Sequence, residues 1–295
     1  MQDQAQLLKE YIKKRQQSES EPKEEKVKKQ KCAKILSVTS GKGGVGKSNF
    51  TVNFALELAK SGHKVLIIDA DFGLSNVDVI LGITPKYDLS HVIRREKHLI
   101  EVICDGPYGV KFISGGSGVY DLLALGSEEI DYVLNELLTL DDMVDTIIFD
   151  TGAGINENNI QLIGASNEVV LVTTPEPPAI VDAYALAKTL HGTNSTAKIR
   201  LVINRAESKD EATKIMGNFI NVAENYLKIN IEELGFITDD SAVVKSVKAQ
   251  KPFVIGFPNS HAARDVENIA KKYMEVPISQ NSGGLRSFIQ KILRK

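Results

Sequence analysis

Short runs of apolar, largely β-branched residues alternate with amphipathic segments of helical period from residue 33 to about residue 274. The first run is followed by a glycine-rich loop and then by Phe50, Phe54 and Leu58 at helical spacing, up to Gly62. This alternation predicts an α/β fold, a doubly wound, mainly parallel sheet with helices on both faces. The predicted strands are residues 33–39, 64–69, 110–114, 145–150, 168–174, 198–204 and 234–237.

The two ends of the chain have different patterns. Residues 1–17 are predicted to form a helix with Ala5, Leu8 and Ile12 on one stripe, and the charged, apolar-poor residues 18–31 are predicted to be a disordered linker. A second linker and an amphipathic helix are predicted to follow the central domain. The predicted organisation is an N-terminal helix with its linker, a central domain, and a C-terminal linker with its helix, at residues 1–31, 32–274 and 275–295.

Composition narrows the class of protein. The 295 residues, 42% of them hydrophobic, are enough for one α/β domain with a full core. Two cysteines without metal-type spacing, Cys32 and Cys104, indicate a reducing compartment. Because no apolar run approaches the ~20 residues that span a bilayer, and the N-terminus is not signal-like, we expect a cytoplasmic protein.

Charge is distributed unevenly along the chain. The net charge is −2, but residues 1–31 carry +3 and residues 284–295 carry +4, which leaves −9 for the body between them. An acidic body argues against broad nucleic-acid binding, which requires a cationic face. Basic ends are instead typical of segments that engage an anionic membrane or a protein partner.

One loop carries the strongest chemical signal. Its sequence satisfies G-x-x-x-x-G-K-[ST], the phosphate-binding loop, in which glycines let backbone N–H groups converge on phosphate oxygens. Lys47 is predicted to reach the β- and γ-phosphates, and the Ser48 hydroxyl to bind Mg²⁺. Lys42 is a second lysine that an ordinary phosphate loop does not need. The predicted loop is Gly41, Lys42, Gly43, Gly44, Val45, Gly46, Lys47 and Ser48.

Three carboxylates end predicted strands. Asp69 and Asp71 lie two residues apart and therefore on the same side of their strand, so a cation or a proton is needed between them. Asp150 ends another strand and suits the role of holding Mg²⁺ through water, as a Walker-B acid does. In a chain that also has a phosphate loop, helix capping is the weaker interpretation of these acids.

These motifs, with residues 68–82 (IDADFGLSNVDVILG) and residues 173–177 (TTPEP), resemble the deviant Walker A ATPases of the MinD/ParA class over residues 33 to about 274. The resemblance implies an ATP/ADP- and Mg²⁺-binding ATPase that forms a homodimer with ATP. It implies that Lys42 enters the partner subunit's ATP site and that Asp71 positions or activates the attacking water. Asp69 and Asp150 would order the Mg²⁺ shell, and the nucleotide contacts would include Asn49 at the α-phosphate, Asn204 at the adenine and Arg205 beside it.

The N-terminal residues add a narrower resemblance. Residues 3–9 (DQAQLLK) are similar to the D-Q-A-x-x-L-R element of the flagellar-number regulators of this class, the FlhG group (also YlxH or FleN), with Lys9 in place of arginine. The resemblance implies control of flagellar number and placement. The implied partners are a signal-recognition-type GTPase, FlhF, stimulated by residues 1–17, and flagellar switch (C-ring) proteins. A solvated, charged helix is the alternative interpretation of these residues.

The C-terminal helix predicts membrane association. Leu285, Phe288, Ile289, Ile292 and Leu293 recur at helical spacing, with basic residues beside or opposite them. We expect residues 284–295 to bind an anionic membrane surface peripherally, at the inner face of the cell membrane, in the ATP-bound dimer. A helix that packs onto its own domain is the alternative.

Other functions remain open to different degrees. The nearest alternative is the division-site positioning ATPase of the same class, and a ParA-type partition ATPase is less favoured because of the acidic body. A scaffold that binds ATP without hydrolysing it is a further alternative. An iron–sulfur carrier is opposed because Cys104 has no companion cysteine, and a tyrosine kinase because only Tyr273 lies near the C-terminus.

Overall fold

Seven strands predicted from the sequence are present in a computed structural model, which describes residues 32–71, 76–116, 127–193, 195–275 and 284–293. The predicted N-terminal helix and linker, and most of the predicted C-terminal linker, lie outside these residues. An eighth strand, the two-residue β3, was not predicted. The strands are β1 (Lys34–Ser40), β2 (Val65–Ala70), β3 (Cys104–Asp105), β4 (Lys111–Ser114), β5 (Thr146–Ala153), β6 (Glu168–Thr173), β7 (Lys198–Ala206) and β8 (Ile231–Thr238).

The strands form one sheet in the order β3-β4-β2-β5-β1-β6-β7-β8. All neighbouring pairs are parallel except β3 and β4, which pair antiparallel through Cys104 and Asp105 at the edge. The central strand β1 lies between β5 and β6, so its carboxyl end is flanked by both. In parallel sheets of this type, ligands bind at the carboxyl ends of the strands.

Helices connect the strands and cover the sheet. In chain order the described helices are α1 (Lys47–Lys60), α2 (Val77–Leu81), α3 (Leu89–Ile93), α4 (Leu99–Val102), α5 (Ser127–Leu138), α6 (Glu157–Ala165), α7 (Pro177–Gly192), α8 (Lys209–Val222), α9 (Ser241–Lys248), α10 (Phe253–Gly256), α11 (His261–Glu275) and α12 (Gly284–Leu293). Short 3-10 turns occur at Pro107–Gly109 and Thr139–Asp142, and a π turn, Ala223–Leu227, extends α8.

Alternate residues of each strand point to opposite faces, and both faces are buried. Leu36 and Val38 of β1 pack in a cluster with α1, α10 and α11, whereas Ala33 and Ile35 pack in a cluster with α3, α4, α6 and α12. A third cluster joins β6, β7 and β8 to α7 and α8. The predicted doubly wound fold with helices on both faces is therefore confirmed.

The C-terminal helix α12 packs against the body of the protein. Leu285, Phe288 and Ile292 are buried among residues of β1, β5 and α6, and the rings of Phe288 and Phe149 stack at 4.9 Å between centroids. Helix and sheet belong to the same compact unit, Cys32–Lys295. Thus Leu285, Phe288 and Ile292 of the apolar stripe predicted for the membrane are covered by the protein itself in this conformation.

Polar contacts fix both ends of α12. The side-chain amide of Gln161 on α6 donates to the carbonyl oxygen of Ile292. At the other end, a carboxylate oxygen of Asp141 accepts from the backbone N–H of Leu285 at 3.4 Å and from that of Ala33 at 3.1 Å. Of the helices described, none is long and apolar enough to cross a membrane.

Candidate functional site

The phosphate-binding loop joins β1 to α1, as the sequence predicts. Gly44 and Gly46 have φ angles of 81° and 92°, a left-handed conformation that favours glycine. Gly46 is the N-cap of α1 and, being glycine, has no side chain with which to cap that helix end. The free N–H groups of the first turn and the helix dipole therefore favour an anion at the loop.

Two close approaches hold the loop against neighbouring elements. A Cβ atom at Gly41 would lie 2.2 Å from the backbone carbonyl carbon of Asp182, so this position tolerates only glycine while α7 keeps its place. A Cβ atom at Gly46 would lie 2.3 Å from the side-chain nitrogen of Asn204. The loop is therefore shaped by α7 on one side and by the end of β7 on the other.

The two lysines of the loop have opposite environments. Lys47 is 6% exposed, and its ammonium lies 3.1 Å from Asp150, 3.6 Å from Asp71 and 3.3 Å from the Ser48 hydroxyl. Lys42 is exposed, and no carboxylate of the described part of the chain lies within 4.0 Å of its ammonium. Lys47 thus belongs to a buried charged cluster within the chain, whereas Lys42 does not.

Asp150 is the most buried acid of this cluster. Its side chain is fully buried in the carboxyl half of β5, next to β1. One carboxylate oxygen, Oδ1, receives the Lys47 ammonium and the hydroxyl of Thr51, the latter at 2.7 Å. The other, Oδ2, has no hydrogen-bond partner among the described residues. A buried carboxylate oxygen without a partner fits a site that a hydrated cation completes.

Asp71 lies at the end of β2, with its side chain one-quarter exposed. Burial raises the pKa of Asp71 above its usual value, the Lys47 ammonium opposes this rise, and the charge of Asp150 adds to it. A carboxylate beside the phosphate loop with a raised pKa is the type of group that enzymes use to orient or deprotonate water.

Asp69 has contacts that its sequence position did not indicate. It is 2% exposed, and its carboxylate accepts backbone N–H groups from Asp71 at 3.0 Å, Asn76 at 3.2 Å and Val77 at 3.3 Å. These bonds join Asp69 to the backbone of Asp71 and to the start of α2. A role for Asp69 in the Mg²⁺ shell stays a prediction.

A cavity of about 370 Å³ lies beside the loop, between β7 and α9. Its lining includes Asn49, Asn204 and Arg205, the three residues predicted from the sequence to contact the nucleotide outside the loop, so the fold does bring them together. Arg205 has a φ angle of 59°, which bends the chain at the end of β7. Gly46 of the predicted loop also lines the cavity, and the rest of the lining consists of Phe50, Ile237, Thr238, Asp239, Asp240, Val243, Val244 and Phe253.

The side chain of Asn204 is hydrogen-bonded to the phosphate loop. Its side-chain nitrogen donates to the carbonyl oxygen of Val45 in the loop at 2.7 Å. The donor side of this amide is therefore turned to the loop, and the side-chain oxygen remains an acceptor that suits the amino group of adenine.

Two polar residues of the site were missed in the sequence. Thr51 stands one helical turn after Lys47, a spacing that could have suggested a shared face. Asn159 on α6 is buried, and its amide donates to the carbonyls of Gly152 at 2.6 Å and Gly154 at 3.1 Å, which fastens the segment after Asp150. No local pattern predicts that contact, because it depends on how α6 packs under β5.

The chain is similar to known proteins along most of its length. Residues 31–274 match the family model described as "ParA: NUBPL iron-transfer P-loop NTPase". The chain is 35% identical to the antiactivator FleN of Pseudomonas aeruginosa, covering 88% of this chain and 93% of FleN. It is 34% identical to the flagellum site-determining protein YlxH of Helicobacter pylori, covering 88% and 90%.

A solved structure is similar to this chain in three dimensions. The MinD cell division protein in its complex with MinC from Aquifex aeolicus superposes with a TM-score of 0.67 at 25% identity, covering 84% of this chain and 98% of that one. Phosphate loop, strand-end acids and sheet order are thus found together with sequence similarity along most of the chain. The chain belongs to the ParA/MinD family of P-loop ATPases.

Proposed function

We propose that this ATPase regulates the number and placement of flagella, and that it does so as a dimer that forms with ATP. The name of the flagellum site-determining protein YlxH, at 34% identity, supports the flagellar role. The resemblance of residues 3–9 to the FlhG group supports it as well. The observation that carries the dimer is the contrast between buried Lys47 and exposed Lys42 in one loop. A cation that has no carboxylate partner in the described part of its own chain suits a phosphate group in a second copy.

Apolar surface near the loop supports the pairing of two copies. Val181 on α7 is 65% exposed, and the backbone of the next residue, Asp182, touches Gly41. Ile155, which follows β5, is 53% exposed. Exposed aliphatic side chains beside a phosphate loop would be covered when two copies meet across their nucleotides.

ATP would lie with its phosphates at the N-terminus of α1 and its base in the cavity beside Asn204. The site also fits Mg²⁺, because the Ser48 hydroxyl and the unpartnered Oδ2 of Asp150 supply oxygen ligands, directly or through water. The ion would neutralise charge on the phosphates when bound. Asp71 would orient the attacking water. The Lys47 ammonium would move from Asp71 and Asp150 to the phosphates.

The dimer is tested with Lys42→Ala in the full chain. We expect ATP affinity within a few-fold of that of the original protein, together with loss of the ATP-dependent dimer and of turnover. Light scattering with ATP or ADP measures the dimer, in an Asp71→Ala background that slows turnover. Lys60→Ala, which removes an ammonium bound to Glu57 on the same helix, is the control. Unchanged turnover and dimer mass in Lys42→Ala would refute the role in trans.

For the protein to bind a membrane through α12, this helix has to leave its position against the body of the protein. Arg286 and Lys291 on α12 are exposed and could meet anionic lipid, but the apolar side chains that would enter the bilayer are buried against the body. We therefore infer a cytosolic form with α12 docked and a membrane-bound ATP dimer with α12 released at the inner face of the cell membrane. Two helices on one dimer would bind more strongly than one.

Co-sedimentation with vesicles tests this cycle. Full-length protein should bind phosphatidylglycerol-containing vesicles with ATP and much less with ADP, and deletion of residues 284–295 should abolish binding in both states. Equal binding with the two nucleotides, or binding that survives the deletion, would refute the cycle.

Partners remain proposals from similarity. We infer that residues 1–17 stimulate an FlhF-type GTPase and that flagellar switch (C-ring) proteins bind elsewhere on the molecule. The full chain should raise the GTP hydrolysis rate of such a partner, and a chain lacking residues 1–17 should not. Lys9→Ala should weaken the stimulation, whereas Lys14→Ala, outside the element, should not. Stimulation that survives the deletion would remove this assignment.

A further inference from the structure

A buried hydroxyl group touches the Walker-B acid from the helix that follows the phosphate loop. Thr51 is fully buried on α1, four residues after Lys47. Its Oγ1 lies 2.7 Å from Oδ1 of Asp150 and 3.1 Å from the backbone carbonyl oxygen of Lys47. A threonine hydroxyl has one hydrogen to donate, and an ionised carboxylate at the shorter distance is the stronger acceptor. The bond therefore goes to Asp150.

The two oxygens of Asp150 have different surroundings. Oδ1 has two donors, the Thr51 hydroxyl and the Lys47 ammonium, while Oδ2 is buried without a partner among the described residues. Since an unpaired buried acceptor is costly, the carboxylate is poised for one more donor or cation on the Oδ2 side.

Binding of a nucleotide would change the set of donors to Asp150. When Lys47 moves to the phosphates, Thr51 is the remaining donor to Oδ1 among the contacts described. A carboxylate held at one oxygen keeps its rotamer, whereas an unheld one can rotate about its side-chain torsions and lose its alignment.

We propose that Thr51 is a positioning residue for the metal site: its hydroxyl fixes Asp150 so that Oδ2 accepts from the water shell of nucleotide-bound Mg²⁺. This inference rests on the Mg²⁺ site of the proposed function. Helical threonines commonly bond only the carbonyl four residues back, which stabilises nothing outside the helix. Here the closer acceptor lies 99 residues away in sequence, on the strand that carries the metal-site acid.

The experiment measures how strongly Mg²⁺ improves nucleotide binding in the full chain. The dissociation constant of a fluorescent ATP analogue is measured with Mg²⁺ and with EDTA, and the ratio of the two is compared among variants. Thr51→Val keeps the shape and removes the donor, Thr51→Ser keeps the donor, and Thr51→Cys offers a weak donor of similar size. Thr146→Val, at the far end of β5 from Asp150, is the matched control.

In Thr51→Val we expect the improvement of nucleotide affinity by Mg²⁺ to be about tenfold smaller than in the original protein. The affinity measured with EDTA should stay within twofold of the original. Thr51→Ser and Thr146→Val should keep the full effect, and Thr51→Cys should lie between. If Thr51→Val does not fold, the comparison of Thr51→Cys with Thr51→Ser decides the question.

Three results would count against the inference or its premise, and they are distinguishable. An equal Mg²⁺ effect in Thr51→Val and the original protein overturns the role of Thr51. An equal loss of affinity with and without Mg²⁺ also overturns it, because the hydroxyl would then only support the fold. No Mg²⁺ effect in the original protein instead refutes the proposed metal site.

Discussion

The aromatic ring of Phe288 on α12 stacks on the ring of Phe149, the residue immediately before Asp150 on β5, with 4.9 Å between centroids and 23° between planes. Successive residues of a strand point to opposite faces, so Phe149 supports the C-terminal helix while Asp150 points to the phosphate loop. Two neighbouring residues of one strand thus connect the docked helix and the nucleotide site.

Docking of α12 can be weakened from the body alone. Gln161→Ala removes the hydrogen bond to the carbonyl of Ile292 and leaves the sequence of α12 intact. Since such a bond contributes about 0.5–1.5 kcal/mol, the released form should become roughly 2- to 10-fold more populated. We expect nucleotide-free binding to anionic vesicles to rise by a comparable factor, as measured by co-sedimentation.

The control for this change is Gln290→Ala, which removes an exposed amide from α12 itself and should leave vesicle binding unchanged. Removal of residues 284–295 in the Gln161→Ala background should abolish the gain. If Gln161→Ala binds vesicles no better than the original protein, docking does not limit membrane binding.

Two glycines of the phosphate loop should respond differently to the same substitution. At Gly41 a methyl group would collide with the backbone of α7, 2.2 Å from the carbonyl carbon of Asp182, whereas no atom of the described residues lies within 4 Å of a Cβ atom at Gly43. Backbone cannot move aside as a flexible side chain can. We expect Gly41→Ala to lower the free energy of unfolding of the nucleotide-free protein by about 1–3 kcal/mol.

Urea unfolding measures this difference, with Gly43→Ala as the matched control in the same loop. Gly43→Ala should unfold within about 0.5 kcal/mol of the original protein, as substitutions away from packed features do. Equal destabilisation by the two substitutions would show that α7 yields to the added methyl group.

The fold and the phosphate loop could be predicted from the sequence because each depends on a local pattern of residues. Apolar runs mark the long strands, and the glycines with Lys47 and Ser48 mark the phosphate site. Strand β3 was missed because two residues, one of them Asp105, carry no periodic signal.

Contacts that depend on how helices pack against the sheet could not be predicted in this way. The bond from Thr51 to Asp150 joins residues 99 positions apart and depends on how α1 packs against β5. The bond from Asn159 to Gly152 joins consecutive elements, and it depends on how α6 packs against β5. Asp69 was predicted from its strand end as a metal-site acid, yet its carboxylate accepts from backbone N–H groups, among them those of Asn76 and Val77, seven and eight residues further along the chain. Strand-end position identifies a polar residue of the site but not its partner.

The raised pKa of Asp71 has a consequence for stability. Its folded pKa lies above the ordinary value, so the folded protein binds this proton more tightly than the unfolded chain does. The stabilising contribution is therefore full below the ordinary aspartate pKa of ~3.9 and is lost as the pH rises through the raised folded value. At pH 7.5 the ionised side chain destabilises the nucleotide-free protein, and Asp71→Asn should be the more stable of the two.

Denaturant unfolding at several pH values between 7.5 and 4 measures this effect. The advantage of Asp71→Asn should shrink as the pH falls, and turnover should be lost at every pH. Asp105→Asn removes an exposed carboxylate paired with Lys111 and should show no such gain at pH 7.5. An Asp71→Asn protein that is less stable at pH 7.5 would mean that the attraction of Lys47 outweighs burial.

Asn204 combines two contacts that a pair of substitutions can separate. Its nitrogen donates to Val45 of the loop, and its side chain lines the proposed base pocket, where we assign the oxygen to the base. Asn204→Asp keeps an acceptor oxygen but loses the donor to the loop, whereas Asn204→Ala loses both. Adenine presents an amino group where guanine presents a carbonyl oxygen, so an acceptor at this position favours ATP over GTP.

Both substitutions should lower the stability of the nucleotide-free protein, Asn204→Ala by about 1 kcal/mol for the lost bond. The added charge in Asn204→Asp should weaken binding of both triphosphates similarly, since it repels the phosphates of each. The ratio of the GTP and ATP dissociation constants should therefore stay near that of the original protein in Asn204→Asp and fall towards one in Asn204→Ala. Calorimetric titration measures the four constants. A ratio unchanged in Asn204→Ala would assign the choice of base to other residues of the cavity and leave Asn204 with the loop alone.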